Sequence, residues 1–493
     1  MNVPRPTLAV ALAPLLIVAF APTVTAQSVD TWRVDRVLAQ TPELTHDNTG
    51  RLPIITWAPF VDERGYEGFN RGEALSPEIY KALGRRGLTQ RIPFTPPFVE
   101  MAKAIQAAGL PIVFMEGDGG DGPGAEAPDT RHQLPADFDF GRNEPRNVFP
   151  CPMIEDGWKV RAKRVRDTIK LYKDAGIHVT AAWLDWEGEP HGGPAQCHQA
   201  AACKRCREQI PSEAFADQRA YAGFAHRQQR MLLSKYMAEP ILEAFPQCSI
   251  TNWTAVLSSN ELPGYNWWGN FVLAPLGMEK FTAANPVVYG NTAFRTLWKQ
   301  EMGELPFNQE NMDRLYVQQM FRQLSRHEAN AQQMGVNLPN IPWVIRYCPD
   351  DEDPSIPILS RPLYQEILRH MWLRGADSMQ IFNEPRKAHP EICVEEVEDV
   401  VRIYDELLAH RDFLDSGVPF QFELPAAKGD GPIWSGLRLK DRALIRTFTL
   451  GATSATARVQ PWPDKPAVEL PAPRSGKTYV LSIDGAQVKV QPE

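Results

Sequence analysis

Short apolar runs alternate with amphipathic stretches along most of this chain. The runs are "LPIITWAPF" (52–60), "GLPIVFMEGDGGDGPG" (109–124), "GIHVTAAWLDWE" (176–187), "CSITNWTAV" (248–256), "NPVVYGN" (285–291), "IPWVIRYC" (341–348) and "GADSMQIFNEP" (375–385). Apolar cores of this length, bounded by Gly, Pro, Asn and Asp, predict buried strands. Between them the period changes. Trp158, Ala162, Val165, Ile169 and Tyr172 recur at helical spacing and define one apolar face. "PFVEMAKAIQAA" and residues 213–244, 308–334 and 361–374 read as further helices. A set of eight strands needs one more, expected as the third, near "RNVFPC".

Strands alternating with helices predict βαβ units and a parallel sheet. Two architectures share that alternation, an open doubly wound sheet and a (β/α)8 barrel. Two features favour the barrel. No Gly-x-Gly-x-x-Gly turn follows the first run. Polar or aromatic residues stand near the ends of nearly every run: Trp57, Glu116, Glu187, Trp253, Tyr289, Arg346 and Glu384. In a barrel those ends converge on one mouth, where sites are built. From about residue 415 the pattern shifts to short alternating runs separated by Gly, Pro, Asp and Lys, which predict a small antiparallel β domain of sandwich type. The expected organisation is therefore a barrel over 27–414 and a β domain over 415–493.

Residues 1–26 look different from both. Arg5, an apolar run from Leu8 to Ala21 and the small-residue triplet Val24-Thr25-Ala26 predict a secretory signal peptide cut after Ala26. The run is short for a membrane anchor and is interrupted by Pro14, so no stable membrane insertion is expected after cleavage. Export to the periplasm, cell surface or medium follows. A net charge of −8 argues against a nucleic-acid partner.

Export also bears on the seven cysteines. Cys197, Cys203 and Cys206 cluster in "CHQAAACKRCRE" beside His198, which offers either a local zinc site or a disulfide. Because everything lies within one loop, a disulfide from Cys197 or Cys151 to one of the Cys203/Cys206 pair is the expectation. No cofactor and no catalytic metal are called for.

The chemistry concentrates at "HVTAAWLDWEGEP", where a buried strand ends on Asp185, Glu187 and Glu189. Residues two apart share a strand face, so Trp183, Asp185 and Glu187 point one way. Two adjacent carboxyl groups do not both ionise easily, and one is left as a proton donor near neutral pH. Glycoside hydrolysis needs such a donor, and Trp183 either offers a surface on which a sugar ring stacks or fills the barrel. The partner so implied is a carbohydrate.

"LDWE" resembles the end of the fourth strand in chitinase-like and hyaluronidase-like glycoside hydrolases, which are (β/α)8 barrels. The resemblance implies Glu187 as general acid/base and Asp185 as the residue that orients the substrate's own N-acetyl group. It also implies a late tyrosine on the acetamide oxygen, for which Tyr289 is the candidate by position. The chitinase pattern has an Asp where this chain has Trp183, and the hyaluronidase type does not. "IFNEP" (381–385) also resembles the Asn-Glu-Pro signature of a large retaining glycosidase clan, but it falls on the last strand and no Glu nucleophile follows it. Two alternatives stay open: a two-carboxylate hydrolase pairing Glu187 with Glu384 or Glu116, and a non-catalytic carbohydrate-binding barrel. Trp57, Glu116, Trp183, Trp253, Tyr289, Arg346 and Glu384 are the expected substrate-binding residues.

Overall fold

The computed structural model describes residues 33–117, 130–141, 148–185, 193–253, 256–257, 280–288, 298, 301–346, 357–382, 389–426, 428–451 and 454–493. Glu187, Tyr289 and Glu384 lie outside the described residues, as do the predicted leader, Cys348 and the acids at 189 and 350–351.

Eight parallel strands form the main sheet: β1 Ile54–Thr56, β2 Leu88–Pro93, β3 Ile112–Gly117, β4 Val179–Asp185, β5 Ser249–Asn252, β6 Val287–Val288, β7 Trp343–Val344 and β8 Gln380–Ile381. Their spatial order is 5-4-3-2-1-8-7-6, so β1 pairs with both β2 and β8. The remaining gap is bridged just before β6, where the Thr282 and Ala283 amides donate to the Ile250 carbonyl of β5 at 2.8 and 3.1 Å. This is a (β/α)8 barrel. An open doubly wound sheet has no such return of the first strand to the last.

One predicted strand is misplaced. The eighth is "LTQRIP" (β2), before "GLPIVFME", and the region of "RNVFPC" that is described contributes only an isolated antiparallel bridge between Arg131 and Pro150. Because the missing strand lies upstream, the run ending in Asp185 still counts as the fourth.

Helices pack outside most strands. Among those described are α1 Pro77–Gly84, α2 Val99–Ala107, α3 Asp156–Asp174, α4 Pro194–Ala202, α5 Lys204–Gln209, α6 Gln218–Leu233, α7 Gln309–Met334, α8 Arg361–Trp372 and α9 Ile392–Leu408. On α3 the five apolar residues at helical spacing are all buried. Val165 and Ile169 each contribute roughly 1.5–3 kcal/mol, and Ala162 less. Local signals set the ends of α7: the Asn308 side chain accepts from the Asn311 amide at 3.0 Å, and Gly335 closes the helix at φ 63°, where a Cβ is disfavoured.

Strand alternation divides the barrel's apolar residues into two sets. Ile54, Phe114, Ala182, Leu184, Ile250, Val288, Val344 and Ile381 belong to the large core beneath the helices. Ile55, Val113, Ala181, Trp183, Ala283, Ile341 and Trp343 form a separate cluster inside the barrel, with Trp57, Met115, Trp253, Val287 and Phe382 against it. Two tryptophans at 1% exposure, Trp183 and Trp343, fill much of that interior.

Beyond α9 the chain forms a five-stranded antiparallel sheet, of which β9 (Val418–Pro419), β10 (Ile433–Arg438) and β11 (Arg442–Phe448) are the first strands in sequence. A two-stranded sheet packs on it, sharing a core of Ala443, Ile445, Ala457, Val459, Trp462, Leu470, Tyr479 and Leu481. Helix α8 is the seam between this unit and the barrel. Glu366 accepts from Arg446 at 2.7 and 2.8 Å, and Arg374 is 1% exposed. Its guanidinium donates to Ser325 and Ser435 side chains at 2.7 and 2.8 Å and to the Glu423 and Trp434 carbonyls.

Candidate active site

The mouth of the barrel is assembled by strand parity. Met115 pairs with Trp183, and Gly117 with Asp185, in the β3–β4 register, so Asp185 shares the inward face of Trp183. The neighbouring position on β3 carries no side chain, which leaves room beside the carboxylate. Asp185 is half-buried, and Trp253 follows on the next strand, its amide donating to the Leu184 carbonyl at 2.9 Å. Among the described residues Trp183, Asp185 and Trp253 thus share one inward face. Trp183, however, at 1% exposure, fills the barrel interior and offers no surface to a sugar ring, against the expectation that it binds substrate.

Trp57 stands at the end of β1 in an aromatic cluster, with ring centroids 5.1 Å from Trp343 and 5.3 Å from Phe382. Arg91 of β2 lies over its ring, the guanidinium carbon 3.7 Å from the centroid, and donates through Nε to the Trp57 carbonyl at 2.8 Å. This stacking holds a permanent cation on the inner wall. Neither Arg91 nor the aromatic partners Trp343 and Phe382 were expected at the site. For Trp343 and Phe382 the signal was available, since both sit at inward parity on their strands. Arg91 was hidden with its strand.

Two expected site residues turn the other way. Glu116 alternates with inward-facing Met115 and Gly117, and so faces the helices. Its carboxylate accepts from Arg161 of α3 at 2.8 and 3.1 Å, and both side chains are largely buried. It is a strand-to-helix ion pair and does not line the mouth. Arg346 likewise follows the inward Ile341, Trp343, Ile345 series at opposite parity. Its Nε donates to the Leu359 carbonyl at 2.9 Å, and its guanidinium pairs with Glu395 of α9. A guanidinium enclosed in this way is not available to an acidic sugar.

Inside the barrel two buried polar groups have no partner among the described residues: the Trp183 indole nitrogen and both amide atoms of Gln380. Gln380 is fully buried between the outward Met379 and Ile381. Buried amides are nearly always satisfied by protein or by water, so Gln380 is a polar position of the barrel interior like Arg91. A cavity of about 320 Å³ lies elsewhere, lined by Glu328, Trp372, Asp377 and Leu414. It opens near the N-terminal start of β8, the end of the barrel away from the mouth.

No protein-family profile matches the sequence, and no curated protein is similar to it. Solved structures with a similar fold include a GH36 α-galactosidase from Geobacillus stearothermophilus bound to 1-deoxygalactonojirimycin, at 10% identity and a TM-score of 0.44, covering 90% of this chain and 56% of that one. A glycoside hydrolase family 30 subfamily 8 xylanase from Clostridium acetobutylicum is 10% identical, with a TM-score of 0.39, over 89% of this chain and 98% of that one. A β-galactosidase from Halorubrum lacusprofundi is 13% identical, with a TM-score of 0.44, over 73% and 58% respectively. The chain thus spans little more than half the length of the two galactosidases, and at these scores no residue correspondence is drawn from any of the three.

Proposed function

We propose that the protein is an exported glycoside hydrolase cleaving a polysaccharide or glycoconjugate, with Glu187 as general acid/base and Asp185 assisting. The observation that carries this reading is the facing of Asp185: a half-buried carboxylate at the end of β4, turned inward above Trp183 and beside Trp253. Glu187 follows at the same parity in sequence, two residues on. An acid beside the half-buried Trp253 suits a sugar, whose ring stacks while a carboxyl group donates a proton to the leaving oxygen. Arg91 adds a fixed cation that lowers the energy of a nearby carboxylate or of a polar sugar substituent.

In the proposed mechanism Glu187 protonates the glycosidic oxygen. Asp185 holds an N-acetyl group so that its carbonyl oxygen attacks the anomeric carbon as the glycosidic C–O bond breaks and the protonated alcohol leaves. Water then opens the cyclic intermediate and gives its proton to Glu187, as the hyaluronidase-like resemblance implies. Wild type and Glu187→Gln, assayed on labelled oligosaccharides with and without N-acetyl groups, test this. Cleavage confined to N-acetylated substrates and lost in the variant supports substrate assistance. Cleavage of neutral sugars lost in the variant moves the mechanism to two carboxylates, with Glu384 the candidate partner. Undiminished cleavage by the variant removes Glu187 from the site, and sugar binding with no cleavage by wild type makes the barrel a binding protein.

A further inference from the structure

The four side chains of His132, Cys151, Cys203 and Cys206 converge at one buried point. One ligand atom from each lies within 4.8 Å of all the others, and none of the four residues is more than 6% exposed. The Cys206 sulfur is 3.5 Å from the Cys151 sulfur and 3.5 Å from His132 Nδ1. A tetrahedral zinc ion with Zn–S near 2.3 Å and Zn–N near 2.0 Å places its donors about 3.5–3.8 Å apart along each edge. A disulfide requires about 2.05 Å between sulfurs and uses only two of them. It would leave a third buried thiol and an imidazole facing the bond with no role.

We propose that this Cys3His cluster binds one structural zinc ion, and that the ion staples together the two loops flanking the end of β4. His132 and Cys151 come from the loop between β3 and α3. Cys203 and Cys206 come from the insertion between β4 and α6. Each half is preformed. His132 and Cys151 flank a short antiparallel bridge, in which the His132 amide donates to the Phe149 carbonyl at 3.0 Å and the Cys151 amide to the Thr130 carbonyl at 2.8 Å. Cys203 and Cys206 stand three apart, at the start and within the first turn of α5.

The halves are already zipped by polar contacts. The Gln133 amide donates to the Cys203 sulfur at 3.3 Å, and the Phe149 amide to the Gln199 side chain at 2.9 Å. A backbone N–H on a sulfur is the kind of contact that stabilises a metal-bound thiolate. All four ligands are protein groups, which closes the site to substrate and fits a structural ion rather than a catalytic one. Thiolates with imidazole select zinc over hard cations.

The ligand set differs from the one the local cysteine cluster offers. Cys197 is not among the converging groups, and the His198 ring packs against Phe138 with centroids 4.8 Å apart. The test uses the full-length protein purified without chelator. Metal analysis is expected to find about one zinc per chain. Cys203→Ser and Cys151→Ser should weaken zinc affinity, read by competition with a chelator, at least about tenfold, and Cys197→Ser and His198→Ala should leave it unchanged. Because a ligand variant may not fold, cobalt exchanged into wild type supplies an independent reading. The tetrahedral d–d bands and thiolate-to-cobalt charge transfer expected of a Cys3His site support the proposal. Substoichiometric metal overturns it, whether the thiols titrate as free or two are missing as a Cys151–Cys206 disulfide. Zinc that is lost with Cys197 but kept without Cys203 also overturns it.

Discussion

Glu116 and Asp185 occupy neighbouring strands and both stand at the C-terminal end of an apolar run, yet they do opposite things. Asp185 faces the barrel interior with Trp183, and Glu116 faces α3 and is consumed by Arg161. The sole difference is parity against the register: Gly117, not Glu116, is level with Asp185. A charged residue at a strand end is therefore a site residue only when it falls on the same face as the interior residues two and four positions before it. Arg346 teaches the same lesson on β7.

The comparison breaks most sharply if the two carboxylates are exchanged in effect. Asp185→Asn is expected to lower kcat on a cleavable oligosaccharide by about 10²–10⁴-fold, an effect on activity larger than its effect on stability. Glu116→Ala is expected to do the reverse. It leaves a buried guanidinium without its carboxylate, and urea unfolding should show a loss of about 3 kcal/mol, with activity per folded molecule retained. If Glu116→Ala abolishes activity without affecting stability, the assignment by parity is wrong.

A third kind of carboxylate sharpens the contrast, one that is buried without a cation. Glu328 accepts from the Asn340 side chain at 2.7 Å, and burial pushes its pKa up to about 8. Asp377 is raised to about 6, burial there outweighing the pull of the nearby Arg51. Such groups bind protons more tightly folded than unfolded, so stability is highest below the unfolded pKa and falls as pH rises through the folded one. Relative to Glu328→Gln, the wild type should lose a few kcal/mol of unfolding free energy between about pH 4.5 and 8. The buried His327 and His370, whose pKa values burial lowers to about 3 and about 4, act in the opposite direction in both proteins. A difference between wild type and Glu328→Gln that grows in favour of the wild type over this range would contradict the burial argument. The smallest effect is expected from Arg91→Lys. Losing the planar stack on Trp57 should raise KM by roughly tenfold or less, with kcat little changed. An equal fall in kcat would instead mark Arg91 as acting in the transition state.

Much of the barrel was legible because its strands bury apolar residues on both faces and its helices carry one apolar stripe. Residues 158–172 and the β4 run show each pattern cleanly. β2 escaped because its inward positions are Thr89 and Arg91, which break the apolar run that marks a buried strand. "RNVFPC" attracted attention through Val148 and Phe149, whose neighbourhood instead forms half of a side-chain cluster. The cysteine ligand set was beyond reach for a related reason. His132 lies 74 positions from Cys206, and only the folded loops bring them together. Glu187, Tyr289 and Glu384 fall outside the described residues, so their roles rest on sequence alone.

Arg374 has a consequence for how this chain could have been put together. Two-domain proteins are commonly thought of as shuffled modules on linkers, free to be exchanged. Here a guanidinium rooted just after α8 is housed by Ser435 and by carbonyls of residues 423 and 434, all from the C-terminal unit. Any recombination event that replaced that unit would have to bring a matching socket with it, or strand a charge in a dry seam. Barrel and β unit are therefore expected to have been inherited together, as a single heritable piece.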